Sequence, residues 1–139
     1  MRGYLDANVL IALFSDDLFT ARAENFLNAE KPILLVSDFA CAEFASGIAR
    51  LVRMETYAVS DAQAIFSDFD AWTARATQRV ETLTADVKAA EAFLRRLDLT
   101  LRAPDALHIA IAQRTASVLI TFDEKMALCA RALGMPVAP

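Results

Sequence analysis

The feature that most constrains this chain is alternation. Short apolar runs recur along it, each separated from the next by a stretch of helical character. The runs are Gly3 to Leu5, "PILLVS" started by Pro32, "RVETL" from Arg79, "SVLITF" from Ser117, and a closing "MPVAP". Runs this short, rich in aliphatic and β-branched residues, fit buried strands. Between them a helix is expected directly after Asp6. Others are expected over "SDDLFTARAENFLNAE" with Ser15 or Asp16 as N-cap, "SDFACAEFASGIARLVRMET" with Ser37 or Asp38, and "SDAQAIFSDFDAWTARA" with Ser60, because side-chain oxygens can satisfy the free N–H groups of a helix start. "TADVKAAEAFLRRLDL" capped by Thr84, "APDALHIAIAQRTA" with proline in its first turn, and "DEKMALCARALG" closed by Gly134 complete the set. Strands alternating with helices predict an α/β fold, a small, mostly parallel sheet with helices on both faces. In such folds the active site lies beyond the carboxyl ends of the strands.

Composition narrows the class. The chain has 139 residues, which suits a single domain over residues 1–139, and is 56% hydrophobic, too apolar for disorder. No apolar run approaches the ~20 residues of a bilayer span, and Asp6 interrupts any leader-like segment. A cytoplasmic protein with no membrane association is expected. Cys41 and Cys129 sit in apolar helical surroundings without metal-ligand spacing and are expected to be reduced core residues. The net charge of −4 disfavours a general polyanion binder, although eleven of the fourteen basic residues are arginine.

Four acidic residues interrupt apolar context. Asp6 ends the first strand, and Asp123 lies just past the fourth, in "LITFDEK". Asp105 occupies the first turn of the helix feeding that strand. Glu43 lies in the second turn of the helix after the second strand, among Phe39, Ala42, Phe44 and Gly47. One fold can bring all four to one edge. Each also has a purely structural explanation. Asp105 can complement a helix dipole, worth ~0.3–1 kcal/mol. Asp6 and Asp123 can be N-caps, worth ~1 kcal/mol each. Glu43 can pair with Arg50 or with another arginine. Taken together these explanations weaken, because converging carboxylates repel unless a cation sits among them.

The donors are hard oxygens with no Cys or His set beside them, which selects Mg²⁺ or Mn²⁺ over zinc. The sole histidine, His108, follows Asp105 by one helical turn and is expected to be a hydrogen-bonded core residue rather than a ligand or base. Carboxylates around such an ion suit phosphodiester hydrolysis, because the ion lowers the pKa of a bound water. No Ser/His or Cys/His pair, glycine-rich phosphate loop or dinucleotide fingerprint competes.

"YLDANVLIALF" with Asp6, "SDFACAEFASGIAR" with Glu43, "APDALHIAIA" with Asp105 and "LITFDEKM" with Asp123 together resemble the PIN-domain nucleases, and among them the VapC-type toxins of bacterial toxin–antitoxin pairs. Each motif alone is weak, but the four in order span nearly the whole chain. The resemblance implies a PIN-like three-layer α/β/α sandwich and a Mg²⁺- or Mn²⁺-dependent endoribonuclease. Asp6 and Asp105 would be the principal metal ligands, with Glu43 and Asp123 completing the set directly or through water. Thr121 matches the hydroxyl residue two positions before the last acidic one. Asn8 departs from the family, which more often has Thr or Ser there, yet it can hydrogen-bond a ligand carboxylate. The resemblance also implies a homodimer, an RNA substrate and a cognate antitoxin. Phe14, Leu18, Phe19, Leu51 and Val52 are candidates for the antitoxin's groove, with core packing as the competing role for at least half of them. Arg50, Arg53, Arg75, Arg95, Arg96 and Arg102 are available for RNA, although solvated surface suits most of them.

Two rivals come from other classes. A phosphotransfer protein, haloacid-dehalogenase-like or receiver-like, would use Asp6 as nucleophile and recruit Lys125. Against it, "LDANVL" lacks the second Asp that the phosphatase pattern uses, and a receiver's acidic pair is missing. A catalytically idle PIN-like binding module would keep the fold without the chemistry, but an idle site would be relieved by losing its mutually repelling carboxylates.

Overall fold

A computed structural model describes all residues, 1–139. Five strands form one sheet: β1 (Arg2–Leu5), β2 (Ile33–Ser37), β3 (Thr77–Val80), β4 (Val118–Ile120) and β5 (Val137–Ala138). Seven helices join them: α1 (Ala7–Phe14), α2 (Thr20–Glu30), α3 (Asp38–Arg53), α4 (Val59–Ala76), α5 (Thr84–Arg95), α6 (Ala103–Arg114) and α7 (Glu124–Ala132). The strand order is β3-β2-β1-β4-β5, and every pairing is parallel. The expected mostly parallel sheet is therefore wholly parallel. Parallel neighbours need long crossovers, which the helices supply.

Alternation within the strands builds the three layers. Successive strand residues point to opposite faces. Leu5, Val36 and Ile120 enter a core with Val9, Leu10, Phe44, Ile48 and Phe69, from α1, α3 and α4. Their neighbours Tyr4, Leu35 and Leu119 enter the opposite core with Ile109, Ile111, Met126 and Cys129, from α6 and α7. All six strand residues are buried. This is why the runs read as continuous apolar stretches rather than half-polar ones.

Sterics set one close approach. A Cβ on Gly47 would lie 2.5 Å from Ile11 Cδ1, so glycine lets α3 lie against α1. Aromatic edges fill the space beneath: Phe14 meets Phe44, Phe69 and Trp72 edge-on, at centroid distances of 5.9, 5.4 and 5.3 Å. On the other side, Asp86 and Arg114 tie α5 to α6 through bonds of 2.6 and 3.0 Å.

Several boundaries differ from the sequence reading. The third strand is Thr77–Val80, not "RVETL"; it starts where α4 stops and shares only Arg79 and Val80 with the expected run. The backbone of Ala76 passes from helix to strand with no intervening loop, so no turn signal marks the change. Ser15, Asp16, Ser60 and Thr84 are not N-caps. Those starts use Phe19, Ala58 and Leu83, which lack capping oxygens. In two of them an acidic residue three positions on accepts the cap residue's N–H instead: Asp61 at 2.9 Å and Asp86 at 2.8 Å. Ser37 caps α3, accepting the Ala40 N–H at 3.0 Å. Of the cysteines, both reduced, Cys129 is buried and Cys41 only half-buried. No helix is long and apolar enough to cross a membrane.

Candidate active site

The chain builds the sheet outward from β1 through β2 to β3, then returns to place β4 on the other side of β1. A crevice opens outside the carboxyl ends of the strands at such a reversal. Asp6 follows the last residue of β1, and Asp123 lies three residues past β4. The start of α3 follows the carboxyl end of β2, which puts Glu43 near the same edge. The helix α6 leads into β4 and so begins near that edge, with Asp105 in its first turn.

Asp6 is the most deeply placed of the four, 2% exposed. Its Oδ2 accepts a hydrogen bond from Thr121 Oγ1 at 2.9 Å, and Thr121 Oγ1 in turn accepts the Asp123 N–H at 3.0 Å. Although Asp6 stands at the N-cap position of α1, its side chain makes no cap hydrogen bond, so capping does not explain it. Burial pushes the Asp6 carboxyl above the usual range. Nearby His108 and the Thr121 hydroxyl pull it back, and Glu43 pushes it further up.

Glu43 forms no ion pair with Arg50 or another arginine and instead hydrogen-bonds His108 Nε2. His108 is 1% exposed. Its Nε2 also lies 3.7 Å from Asp6 Oδ1. Ligand-type atoms of Asp6, Glu43 and His108 all lie within 4.8 Å of one another. The other ring nitrogen, Nδ1, meets the Tyr4 hydroxyl at 2.7 Å, and that hydroxyl meets Ser37 Oγ, also at 2.7 Å.

Asp105 and Asp123 stand outside this tight group. The Asp105 carboxyl is raised above its usual range by burial first and by the negative charge of Asp123 second, so these two carboxylates sense each other. Arg102 approaches Asp105 only to 4.0 Å, and its own side chain is 86% exposed. Asp123 also caps α7, accepting the Met126 N–H at 3.1 Å. Its structural role is thus present alongside its position at the crevice.

The remaining expectations sort physically. Asn8 is exposed and makes no hydrogen bond to Asp6, because residues two apart on a helix face different ways. It lines a surface depression with Phe122 and Asp123 instead. Phe14, Leu51 and Val52 pack against the core, leaving Leu18 and Phe19 exposed. All six arginines named for RNA are exposed; Arg95 is paired with Glu91, and Arg96 with Asp98. Lys125 lines a depression with Asp98 and Leu128 rather than facing Asp6, which removes the lysine a receiver-like site needs. His108 lies in the core as expected from the sequence, but its place between two carboxylates was not expected, Tyr4 was given no role, and Ser37 was expected only as a helix cap. The available signal was position: Tyr4 shares a strand with Gly3 and Leu5 and stands two residues before Asp6, and His108 stands one turn after Asp105.

The donor set fits a hard divalent cation. Two carboxylates approach each other in a buried crevice with no Lys or Arg joined to either, and oxygen-rich sites of this kind suit Mg²⁺ or Mn²⁺.

A three-layer sandwich with carboxylates at the reversal of an all-parallel sheet defines the class, and the sequence agrees with it. The PIN domain family profile matches residues 3–132, and the chain belongs to that family. No curated protein sequence matches it. Similar solved structures include VapBC2 from Rickettsia felis bound to a DNA fragment from their promoter, at 15% identity, covering 99% of this chain and 98% of that one, with a TM-score of 0.74. VapC20 from Mycobacterium tuberculosis, a sarcin-ricin loop cleaving toxin, is 15% identical over 98% of both chains, also with a TM-score of 0.74. FitAcB from Neisseria gonorrhoeae is 16% identical, covering 99% and 96%, with a TM-score of 0.72. At such identities the likeness is one of fold.

Proposed function

We propose that this chain is a Mg²⁺- or Mn²⁺-dependent endoribonuclease, acting as the toxin of a VapBC-type toxin–antitoxin pair. The observation that carries the reading is the approach of Asp6 and Glu43 inside a crevice where no lysine or arginine neutralises Asp6. Asp6, Glu43 and Asp105 would hold the ion, with Asp123 at the rim. A bound Mg²⁺ or Mn²⁺ supplies Lewis acidity toward phosphoryl oxygens and a water of lowered pKa. The protein's own share is positional. Thr121 fixes Asp6 from behind through a 2.9 Å hydrogen bond, and burial excludes competing water from Asp6. Membership of the PIN family supports nuclease chemistry. The toxin–antitoxin complexes among the fold neighbours support an antitoxin as partner, and the RNA-cleaving toxin among them supports an RNA target; a homodimer is what the family resemblance implies. The exposed Leu18 and Phe19 would suit an apolar antitoxin segment.

The test is cleavage of structured RNA by the purified chain with Mn²⁺ or Mg²⁺ and with EDTA. Cleavage requiring the ion, and lost by ~10³-fold or more in Asp6→Asn and Asp105→Asn, is the expected result, a loss comparable to removal of an essential stabilising group. Expression alone should arrest growth, and co-expression of an adjacent short reading frame should relieve it. Wild-type protein that cleaves no RNA in Mn²⁺ yet still binds such a partner would favour the idle binding module.

A further inference from the structure

We infer that a one-way hydrogen-bond relay, running from the Ala40 amide through Ser37 and Tyr4 to His108, presents the imidazole Nε2–H to Glu43, and that His108 thereby orients this carboxylate without joining the metal's ligands. The inference rests on the proposed metal site for its purpose, but its geometry stands on the metal-free protein.

The direction of every link follows from donor chemistry. The Ala40 N–H can only donate, and Ser37 Oγ accepts it at 3.0 Å. Ser37 is fully buried, so its own proton needs an acceptor. The Tyr4 hydroxyl oxygen, 2.7 Å away, is the partner the structure gives it. Tyr4 must then pass its proton onward, and His108 Nδ1 stands 2.7 Å off. A neutral imidazole that accepts at Nδ1 carries its hydrogen at Nε2. There it meets a carboxylate oxygen of Glu43, which accepts it. Read from either end, the network admits the same tautomer.

The consequence separates two roles that proximity alone confuses. His108 sits with Asp6 and Glu43 in a group compact enough to hold an ion. Ligation through Nε2 would require its proton to leave, Glu43 to give up that hydrogen bond and the relay through Tyr4 and Ser37 to reverse. His108 is therefore a positioning residue. Its ring packs tilted against Tyr4 at 5.7 Å and Phe39 at 5.1 Å between centroids and is 1% exposed, so the N–H has little freedom to turn.

The chain has one histidine, so its ring nitrogens give one unambiguous pair of signals in a ¹⁵N-labelled sample. In metal-free wild-type protein at neutral pH, Nε2 should read as protonated and Nδ1 as an acceptor. Mg²⁺ titration should leave Nε2 protonated. Tyr4→Phe should shift the Nδ1 resonance toward that of a nitrogen with no donor while Nε2–H persists. His108→Gln, whose amide can donate from nearly the same place, should keep Mg²⁺ affinity close to wild type, whereas His108→Leu should lose ~10-fold, the lower range for an outer partner of a ligand. A proton on Nδ1 alone, or on both nitrogens, overturns the relay. Loss of the Nε2 proton on Mg²⁺ addition overturns the positioning role and makes His108 a ligand. If no Mg²⁺ binds at all while the Nε2–H tautomer is present, the relay stands and the proposed metal-dependent function is what fails.

Discussion

Asp6 and Asp86 are each 2% exposed, and each lies at the start of a helix. Their surroundings are opposite. Asp86 accepts the Leu83 N–H at 2.8 Å and a two-pronged approach from Arg114 at 2.6 and 3.0 Å. Arg114 also donates to the Glu81 carbonyl at 2.8 Å, which aims its guanidinium. Asp6 receives one hydroxyl, from Thr121, lies 3.7 Å from His108 Nε2, and faces a second carboxylate, with no arginine or lysine paired to it. The chain thus solves the same problem in two ways. One buried charge is completed by the protein; the other is left with a geometry that a cation from outside would complete. The difference teaches that burial of a carboxylate is not a functional signal. What matters is whether the protein has already supplied its counter-charge.

The largest effect should come from making Asp86 resemble Asp6. Arg114→Met strips the counter-charge and leaves a buried carboxylate unpaired, which costs about 3 kcal/mol, at the low end of the usual range because the Arg114 side chain is 32% exposed. Urea unfolding measures it, and the double variant with Asp86→Asn should recover most of the loss. A cost well under 1 kcal/mol would mean that water replaces the guanidinium, and the contrast between the two sites would collapse.

The reverse manipulation is predicted to be gentle. Asp6→Asn removes a charge that His108 and Thr121 offset less than burial penalises it, so in EDTA the variant should melt at or above the wild type. With Mn²⁺ at one hundred times its Kd the wild type should gain about 2.7 kcal/mol, and the variant should gain almost none. A variant that melts far below wild type in EDTA would show that Asp6 is a structural residue like Asp86.

The same contrast explains what could be read from the sequence. The layers were legible because paired neighbours such as Leu35 and Val36 are apolar for opposite cores. Asp6, Glu43, Asp105 and Asp123 stood out because charge breaks those runs, and the strand order carries them toward one edge. Three things were not legible. The third strand has Gln78 and Arg79 exposed at the sheet's edge, so it carries no apolar signature. Helix starts at Ala58 and Leu83 borrow their capping oxygen from Asp61 and Asp86, three residues downstream. Tyr4 and His108, 104 positions apart, meet only because β1 lies beside β4 and α6 packs against the sheet. Nor does the sequence distinguish Asp86 from Asp6, since the arginine that completes the first is 28 residues away.

The smallest effect is a slope, and it sharpens the comparison through the sign of a linkage. Burial holds the Asp6 carboxyl above its usual range, and Asp105 is raised for the same first reason. An acid whose pKa is higher folded than unfolded binds its proton more tightly when folded. The penalty for ionising it is therefore absent below the unfolded value. It grows as pH rises from about 4 toward the raised folded value and is constant above that. In EDTA, wild-type stability relative to Asp6→Asn should fall across that window, with the two curves converging in acid. Saturating Mn²⁺ should reverse the slope, because an ion bound to the ionised carboxylate makes deprotonation favourable in the folded state. Thermal melts of both proteins at stepped pH, with and without Mn²⁺, measure the difference. A stability gap independent of pH would mean that Asp6 is solvated or paired in solution, and the distinction from Asp86 would then be lost.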